Sequence, residues 1–216
     1  MKTPDRGHLK RLLEDGMREL SLKFDQALCE KLLDYIALLQ KWNGVYNLTA
    51  VREPTQMVIQ HLLDSLAALP AFENAHNVLD VGAGGGLPGI VLAIARPDMQ
   101  VSLIDTVQKK TAFLTQVKSE LGLRNVTVHT GRVEELQVLE KFDAITSRAF
   151  ADLADFVSLS GHLLQQGGQF IAMKGAVPQV EIAQLPAGWK VTGIMPLRVP
   201  GMHAERHLIF MNRSAP

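Results

Sequence analysis

An apolar run that ends in a cluster of glycines constrains this chain more than any other feature. Val78-Leu79-Asp80-Val81 reads as a buried strand broken by one acid, and it passes directly into Gly82-Ala83-Gly84-Gly85-Gly86-Leu87-Pro88-Gly89. Glycines at 82, 84 and 86 permit positive φ and let the backbone approach a ligand closely. Pro88 is suited to start a helix. Strand, glycine turn and helix in that order make the first unit of an open α/β sheet, whose ligands sit beyond the carboxyl ends of the strands.

The segments that follow keep the same grammar. Short β-rich runs at 78–81, 101–104, 126–129, 142–146 and 169–173 alternate with helical stretches at 88–95, 107–121 and 153–164, and Gly167-Gly168 turns into the fifth strand. Such alternation predicts a parallel sheet with right-handed crossovers. The tail departs from it. Strands at 189–194 and 207–211 flank a loop with Pro196, Pro200 and Gly201, with no helix-length segment between them, which predicts an antiparallel pair closing one edge.

Three helices precede the first strand. Leu28, Leu32, Tyr35, Ile36, Leu39 and Trp42 share one helical stripe with Asp25 as its N-cap. A shorter stripe runs through Leu9, Leu12, Leu13 and Leu20, and Pro54 opens another through Val58, Leu62, Leu66 and Leu69. The predicted fold is therefore Rossmann-like α/β: a central, mostly parallel sheet with an antiparallel C-terminal edge. A helical extension over 1–75 packs on the core formed by 76–216, making one compact unit.

Composition narrows the function classes. Lys plus Arg equal Asp plus Glu at 22 each, so no bulk charge draws the chain to polyphosphate and any nucleic-acid contact needs a local patch. Cys29 is the only cysteine, which excludes an intrachain disulfide and a multi-cysteine zinc site; no metal site is expected. The first ten residues are polar, and no apolar run reaches about 18 residues, so a cytoplasmic protein without membrane contact is expected.

Gly84, Gly86 and Gly89 spell the dinucleotide pattern G-x-G-x-x-G, yet the first glycine after the strand is Gly82. Counted from there the spacing is G-x-G-x-G, and with Asp80 two residues ahead it favours S-adenosylmethionine over NAD. Asp105, about twenty residues past the turn, is placed to accept both ribose hydroxyls of either cofactor, and an acid there also serves as a helix cap. The loop Gly131-Arg132-Val133-Glu134-Glu135 is positioned to meet the adenine edge, although its two acids equally complement a helix N-terminus. The fourth strand ends in Ser147-Arg148-Ala149-Phe150. It lacks both the Asn/Asp-Pro-Pro-aromatic motif of exocyclic amine methylation and a Pro-Cys nucleophile, leaving oxygen, a ring nitrogen or a small-molecule acceptor.

Six segments together resemble one family: Trp42-Asn43 with Tyr46-Asn47-Leu48-Thr49, His61-Leu62-Leu63-Asp64-Ser65, the glycine turn, Ser147-Arg148-Ala149-Phe150, Lys174-Gly175, and Glu205-Arg206-His207. In this order they are similar to the RsmG family, also called GidB, of 16S ribosomal RNA guanine-N7 methyltransferases. The resemblance implies methyl transfer from S-adenosylmethionine to N7 of a guanine in 16S rRNA, at position 527 of that RNA in the family. It implies cofactor contacts at Gly82, Gly84, Gly86, Leu87, Asp105, Val133, Glu134 and Arg148, and RNA contacts at Arg52, Lys174, Arg206 and His207. Arg148, His61 and Asp64 become positioning candidates with no general base among them. The implied partner is 16S rRNA within a small-subunit particle or assembly intermediate, with no obligate protein partner. Basic residues of the tail, joined by Arg6, Lys10 and Arg11, are expected to form a modest positive patch. A small-molecule methyltransferase and a non-enzymatic module binding an adenine nucleotide or NAD remain the alternatives.

Overall fold

The structure is a computed structural model and describes residues 5–148, 150 and 152–214. Its strands are β1 (Asn77–Val81), β2 (Gln100–Asp105), β3 (Val126–Thr130), β4 (Phe142–Arg148), β5 (Leu164–Lys174), β6 (Trp189–Pro196) and β7 (His207–Arg213). They form one sheet in the order β3-β2-β1-β4-β5-β7-β6, parallel through β5, with β7 antiparallel to both neighbours. The winding reverses between β1 and β4, so the carboxyl ends of those strands flank the crevice where such sheets bind ligands.

The helices are α1 (Arg6–Glu19), α2 (Gln26–Tyr46), α3 (Pro54–Met57), α4 (Asp64–Ala67), α5 (Gly89–Ala95), α6 (Gln108–Glu120), α7 (Leu153–Ser160) and α8 (Gln179–Ala183). Successive strand residues face opposite sides, and the central strands are apolar on both. Val78, Val101, Leu103 and Ile171 join α1, α2, α5 and α6 in one core; Leu79, Ile104, Ile145 and Phe170 join α7 in the other. The N-terminal helices thus complete one face of the sheet. Among the described residues no helix is long and apolar enough to cross a membrane.

Local chemistry sets several boundaries. Asp25 caps α2 by accepting the Leu28 N–H at 2.8 Å. Glu53 caps α3 through the Gln56 N–H at 2.7 Å, with Pro54 in the first turn. The helix opened by Pro54 is not regular, because Val58–Leu63 forms a π-helical turn before α4 resumes. Such turns are frequent at functional sites, and this one carries His61.

Four details correct the sequence reading. Pro88 is the N-cap of α5 and Gly89 its first residue. The helix over 153–164 stops at Ser160, where Gly161 favours the change into a 3₁₀ turn, Gly161–Leu163. Gly167-Gly168 lies within β5 as a bulge: Leu164 pairs with Phe142 and Gln169 with Ala144, and Gly167 takes up the excess at φ 80°. The short helix α8 has no buried residue, so no apolar period announced it.

Candidate active site

The glycine turn is braced from three sides. Ala83 N–H donates to the Ile104 carbonyl at 3.0 Å, Gly86 N–H donates to the Ala83 carbonyl at 2.6 Å, and the Tyr35 hydroxyl of α2 donates to the Gly85 carbonyl at 2.6 Å. Two glycines do different work there. A Cβ on Gly86 would come within 2.5 Å of Ile90 and 2.9 Å of Leu114, so its absence lets the turn pack onto α5 and α6. At Gly84, φ 57°, the nearest atom to such a Cβ would be the Gly82 carbonyl oxygen at 3.8 Å, which leaves bare backbone facing open space.

Beside the turn lies a cleft of about 680 Å³ lined by Gly82, Ile104, Asp105, Val133, Glu134 and Phe150. The Asp105 carboxylate is buried and held in place: Oδ2 accepts the Gly84 N–H at 3.0 Å and Oδ1 the Val107 N–H at 2.9 Å. Lys110 Nζ stands 3.4 Å from Oδ2. A carboxylate has about four acceptor positions, so an oriented Asp105 retains capacity for a ribose hydroxyl. Apolar walls from Ile104, Val133 and Phe150, one fixed carboxylate and an uncovered glycine turn fit an adenosine-bearing cofactor. Beneath the turn Asp80 is fully buried. Its Oδ2 accepts the Gly89 N–H at 2.8 Å while Oδ1 has no hydrogen-bond partner among the described residues, and burial pushes its carboxyl up to about 7.

A second cavity of about 400 Å³ is lined by Gln60, His61, Asp64, Arg148, Lys174 and Arg206. Asp64 is its hub: 1% exposed, it accepts Arg206 Nε on Oδ1 at 3.0 Å and Arg148 Nη1 on Oδ2 at 3.1 Å. Arg148 Nη1 also donates to the Gln60 carbonyl at 2.8 Å. Thr49 Oγ1 accepts the Val51 N–H at 3.1 Å and lies 2.9 Å from His61 Nε2, while His61 Nδ1 faces Arg148 Nη2 at 3.4 Å. The neutral tautomer with its proton on Nε2 satisfies both contacts. Burial, with Arg148 adding to it, lowers the imidazole to about 4. Lys174 pairs with Glu181 at 2.8 Å, and the same Glu181 oxygen accepts the Leu153 N–H at 2.9 Å to steady the start of α7. His207 Nδ1 donates to the Gly175 carbonyl at 2.6 Å.

The two cavities are neighbours. Phe150 walls the first cleft and also borders a narrow gap that reaches Met173 and Lys174, which line the cationic cavity. The Ser147 hydroxyl, buried beside this gap, finds no hydrogen-bond partner among the described residues.

Of the residues singled out in the sequence, Gly82, Asp105, Val133 and Glu134 line the cleft, and Gly84 joins them through its N–H to Asp105. Gly86 and Leu87 form the packed back of the turn. Arg148 turns its guanidinium into the cationic cavity beside His61, Asp64, Lys174 and Arg206. Arg52 lines neither cavity and donates to Asn47 Oδ1 at 2.8 Å. Ala149 lies outside the described residues. The expected N-terminal share of the basic patch is largely spent within the protein, because Arg6 pairs with Glu30 and Asp34 and Lys10 pairs with Glu30, each at 2.7 Å. Sequence reasoning missed Lys110, which lies in the first turn of α6, five residues after Asp105. It also missed Gln60, whose contribution is a main-chain carbonyl and leaves no side-chain signal.

The sheet order, the glycine turn and the carboxylate at the end of β2 define a class I methyltransferase, the fold that uses S-adenosylmethionine. Solved structures share that fold: the O-methyltransferase TomG from Streptomyces achromogenes, in complex with SAM, is 18% identical with a TM-score of 0.57, covering 96% of this chain and 99% of that one. A putative O-methyltransferase from Klebsiella pneumoniae is 15% identical with a TM-score of 0.59, covering 97% and 99%. Sequence relatives are nearer. Ribosomal RNA small subunit methyltransferase G of Herminiimonas arsenicoxydans is 66% identical over 99% of this chain and 100% of its own length. Its counterpart in Janthinobacterium sp. (strain Marseille) is 64% identical over 99% of each. The family model GidB, rRNA small subunit methyltransferase G, matches residues 28–209, and the chain belongs to that family.

Proposed function

We propose that this protein transfers the methyl group of S-adenosylmethionine to N7 of a guanine in the 16S RNA of the small ribosomal subunit. The observation that carries the reading is the adjacency of the adenosine-shaped cleft to a cavity walled by Arg148, Lys174 and Arg206. The cofactor supplies an electrophilic methyl on a sulfonium. Gly82, Gly84 and Asp105 hold it, with Val133 and Glu134 at the adenine end and Phe150 over the turn. Arg148, Lys174 and Arg206 receive the anionic acceptor, with Arg52 and His207 as outer contacts.

Guanine N7 carries an in-plane lone pair and loses no proton on methylation, so the protein's task is alignment and exclusion of water. The residues at hand suit that task. Asp64 is committed to two guanidiniums and His61 is held neutral between Thr49 and Arg148, which makes both positioning groups. A regular A-form helix hides N7 in its deep groove, so the substrate is unpaired RNA or a small-subunit particle in assembly, met in the cytoplasm. Residues 1–75 act as an extension that frames the acceptor side of the 76–216 domain. An open cavity lined by cations also differs from the closed apolar pocket of a small-molecule methyltransferase.

Tritiated methyl transfer into small subunits from a strain lacking this gene tests the reading. Label is expected in 16S RNA of the particle, with less incorporation by Lys174→Glu and Arg206→Glu variants and a shallower salt dependence of their RNA binding. Label in small metabolites and none in RNA would overturn it.

A further inference from the structure

The last turn of α2 and the loop after it carry a surface that neither cavity uses. Val45 and Tyr46 are 71% and 39% exposed, and of the large apolar side chains exposed to this degree among the described residues only Tyr46 is aromatic. Its ring is supported from below. The Tyr46 and Trp42 rings lie 5.1 Å apart, centroid to centroid and tilted by 35°, and Trp42 rests on buried Phe113 of α6 at 5.6 Å. One side of the ring is thus tied to the core while the rest stays open to solvent. The chain then turns at Asn47, left-handed at φ 50°, and runs toward both cavities. The Leu48 carbonyl oxygen comes within 3.9 Å of where a Cβ on Gly85 would lie, which sets the loop against the glycine turn. Buried Asn43 accepts the Thr49 N–H at 2.9 Å, and Thr49 lies 2.9 Å from His61 of the cationic cavity. Exposed Arg52 reaches back to Asn47, the neighbour of Tyr46, at 2.8 Å. Lys41, also exposed, precedes Val45 by one helical turn. From Lys41 through Arg52 the chain carries these two basic residues and no acid.

We propose that Tyr46 is a stacking platform for an unpaired base of the substrate RNA, with Lys41 and Arg52 receiving the phosphates beside it. The inference rests on the reading of this protein as a ribosomal RNA methyltransferase and adds to it a contact outside both cavities. A stretch with two cations and no acid suits a polyanion, and a base covers an aromatic face without needing a closed pocket. RNA that offers N7 of a guanine is open at that point, so bases near the target have lost stacking partners and gain from a new one. Because Trp42 and Phe113 hold the ring in place, little side-chain freedom is lost when a base settles on it. The apolar part of the patch is only two side chains wide, too small for the core of a protein interface. The loop contacts at Gly85 and His61 keep the platform at a fixed offset from both cavities. A base held on Tyr46 therefore anchors the strand whose guanine is methylated, and Tyr46 binds RNA without taking part in methyl transfer.

Methyl transfer at varied concentrations of small subunits from a strain lacking the gene tests the site. Tyr46→Phe and Tyr46→Trp keep a ring and hold KM for the subunit within about twofold of the wild type. Tyr46→Leu and Tyr46→Ala remove the ring and raise that KM by about fivefold to about a hundredfold. Affinity for S-adenosylmethionine, read by calorimetry, stays at the wild-type level in all four and reports that each is folded. A second measurement needs no variant. The protein has two tyrosines, and Tyr35 is buried with its hydroxyl bonded to Gly85, so tetranitromethane nitrates Tyr46 selectively. Bound small subunits are expected to protect Tyr46, read by mass spectrometry of its peptide. A wild-type KM in Tyr46→Ala, or nitration at one rate with and without subunits, would overturn the platform and leave RNA methylation standing. A wild-type KM in Tyr46→Leu would also overturn it, since the surface would then receive an apolar protein side chain. A wild type that transfers no methyl group to RNA would overturn the underlying reading, and the platform with it.

Discussion

Asp64 and Arg206 lie 142 positions apart in sequence and meet at 3.0 Å, the buried Oδ1 accepting from Nε while Oδ2 of the same carboxylate holds Arg148. One acid on the N-terminal helices thus fixes a cation from the end of β4 and another from the threshold of β7. Removing it leaves two partly buried guanidiniums without a counter-charge, which costs far more than a surface ion pair. Asp64→Ala is expected to lower stability by about 3 kcal/mol in urea unfolding. A loss below about 1 kcal/mol would show that the pair is a surface ornament.

The Asp80 carboxyl gives stability a distinctive pH dependence. Its folded value, about 7, lies above the ordinary 3.8, so the folded protein holds the proton more tightly than the unfolded chain. The stabilisation from that proton is complete below about pH 3.8 and is lost as the pH rises through about 7. Cofactor-free Asp80→Asn therefore gains on the wild type between about pH 5 and about pH 8, as read by urea midpoints. Parallel pH curves for the two proteins would contradict this.

His61 works in the opposite sense. Its folded value is depressed from 6.5 to about 4, so its neutral form contributes fully above about pH 6.5 and the contribution disappears as the pH falls through about 4. His61→Gln should flatten the acid limb of the stability curve relative to wild type. Under the proposed role, in which its imidazole positions Arg148 and removes no proton, His61→Ala should also cost less than about 10²-fold in single-turnover rate with RNA and cofactor saturating. A folded variant that binds both ligands and still loses about 10⁴-fold would make His61 a base.

Gly84 separates folding from binding. Alanine there must adopt positive φ at a cost of about 1–2 kcal/mol, but among the described residues its methyl meets no atom closer than 3.8 Å. The variant should fold, and its cofactor affinity should fall at least about tenfold because the methyl enters the ligand's approach path. Asp105→Ala should weaken the cofactor by roughly 1–3 kcal/mol through lost charge-assisted hydrogen bonds. Calorimetry giving wild-type affinity for both variants would remove the assignment of the cleft.

Much of this was legible in the sequence because it rests on local pattern. The apolar runs around Val78, Val101 and Phe142 mark strands, and Gly82, Gly84 and Gly86 mark the turn whatever lies elsewhere in the chain. The bulge at Gly167 was not legible, since a glycine pair before an apolar run reads equally as a turn outside the strand. The π-helical turn over Val58–Leu63 was hidden too, because its side chains keep an ordinary apolar period. The site itself was readable as a set of residues and unreadable as a network. Spacing puts His61 and Asp64 near each other on a helix, but nothing local says that Asp64 will bind Arg148 and Arg206, or that Arg6 and Lys10 will be neutralised by Glu30. Those pairings depend on which elements the fold brings together.

Transfer of the cofactor's methyl group to N7 of a guanine is tested by identifying the atom that receives it. 7-Methylation puts a positive charge on the imidazole ring, so borohydride reduction followed by aniline cleaves the RNA chain at that nucleotide, whereas methylation of an exocyclic amine or a ribose hydroxyl does not. Small subunits from a strain lacking the gene, methylated by the purified protein and treated in this way, should show strand scission at a single guanine of 16S RNA that carries the label. Label that enters the RNA without scission would place the methyl group on another atom and contradict the account.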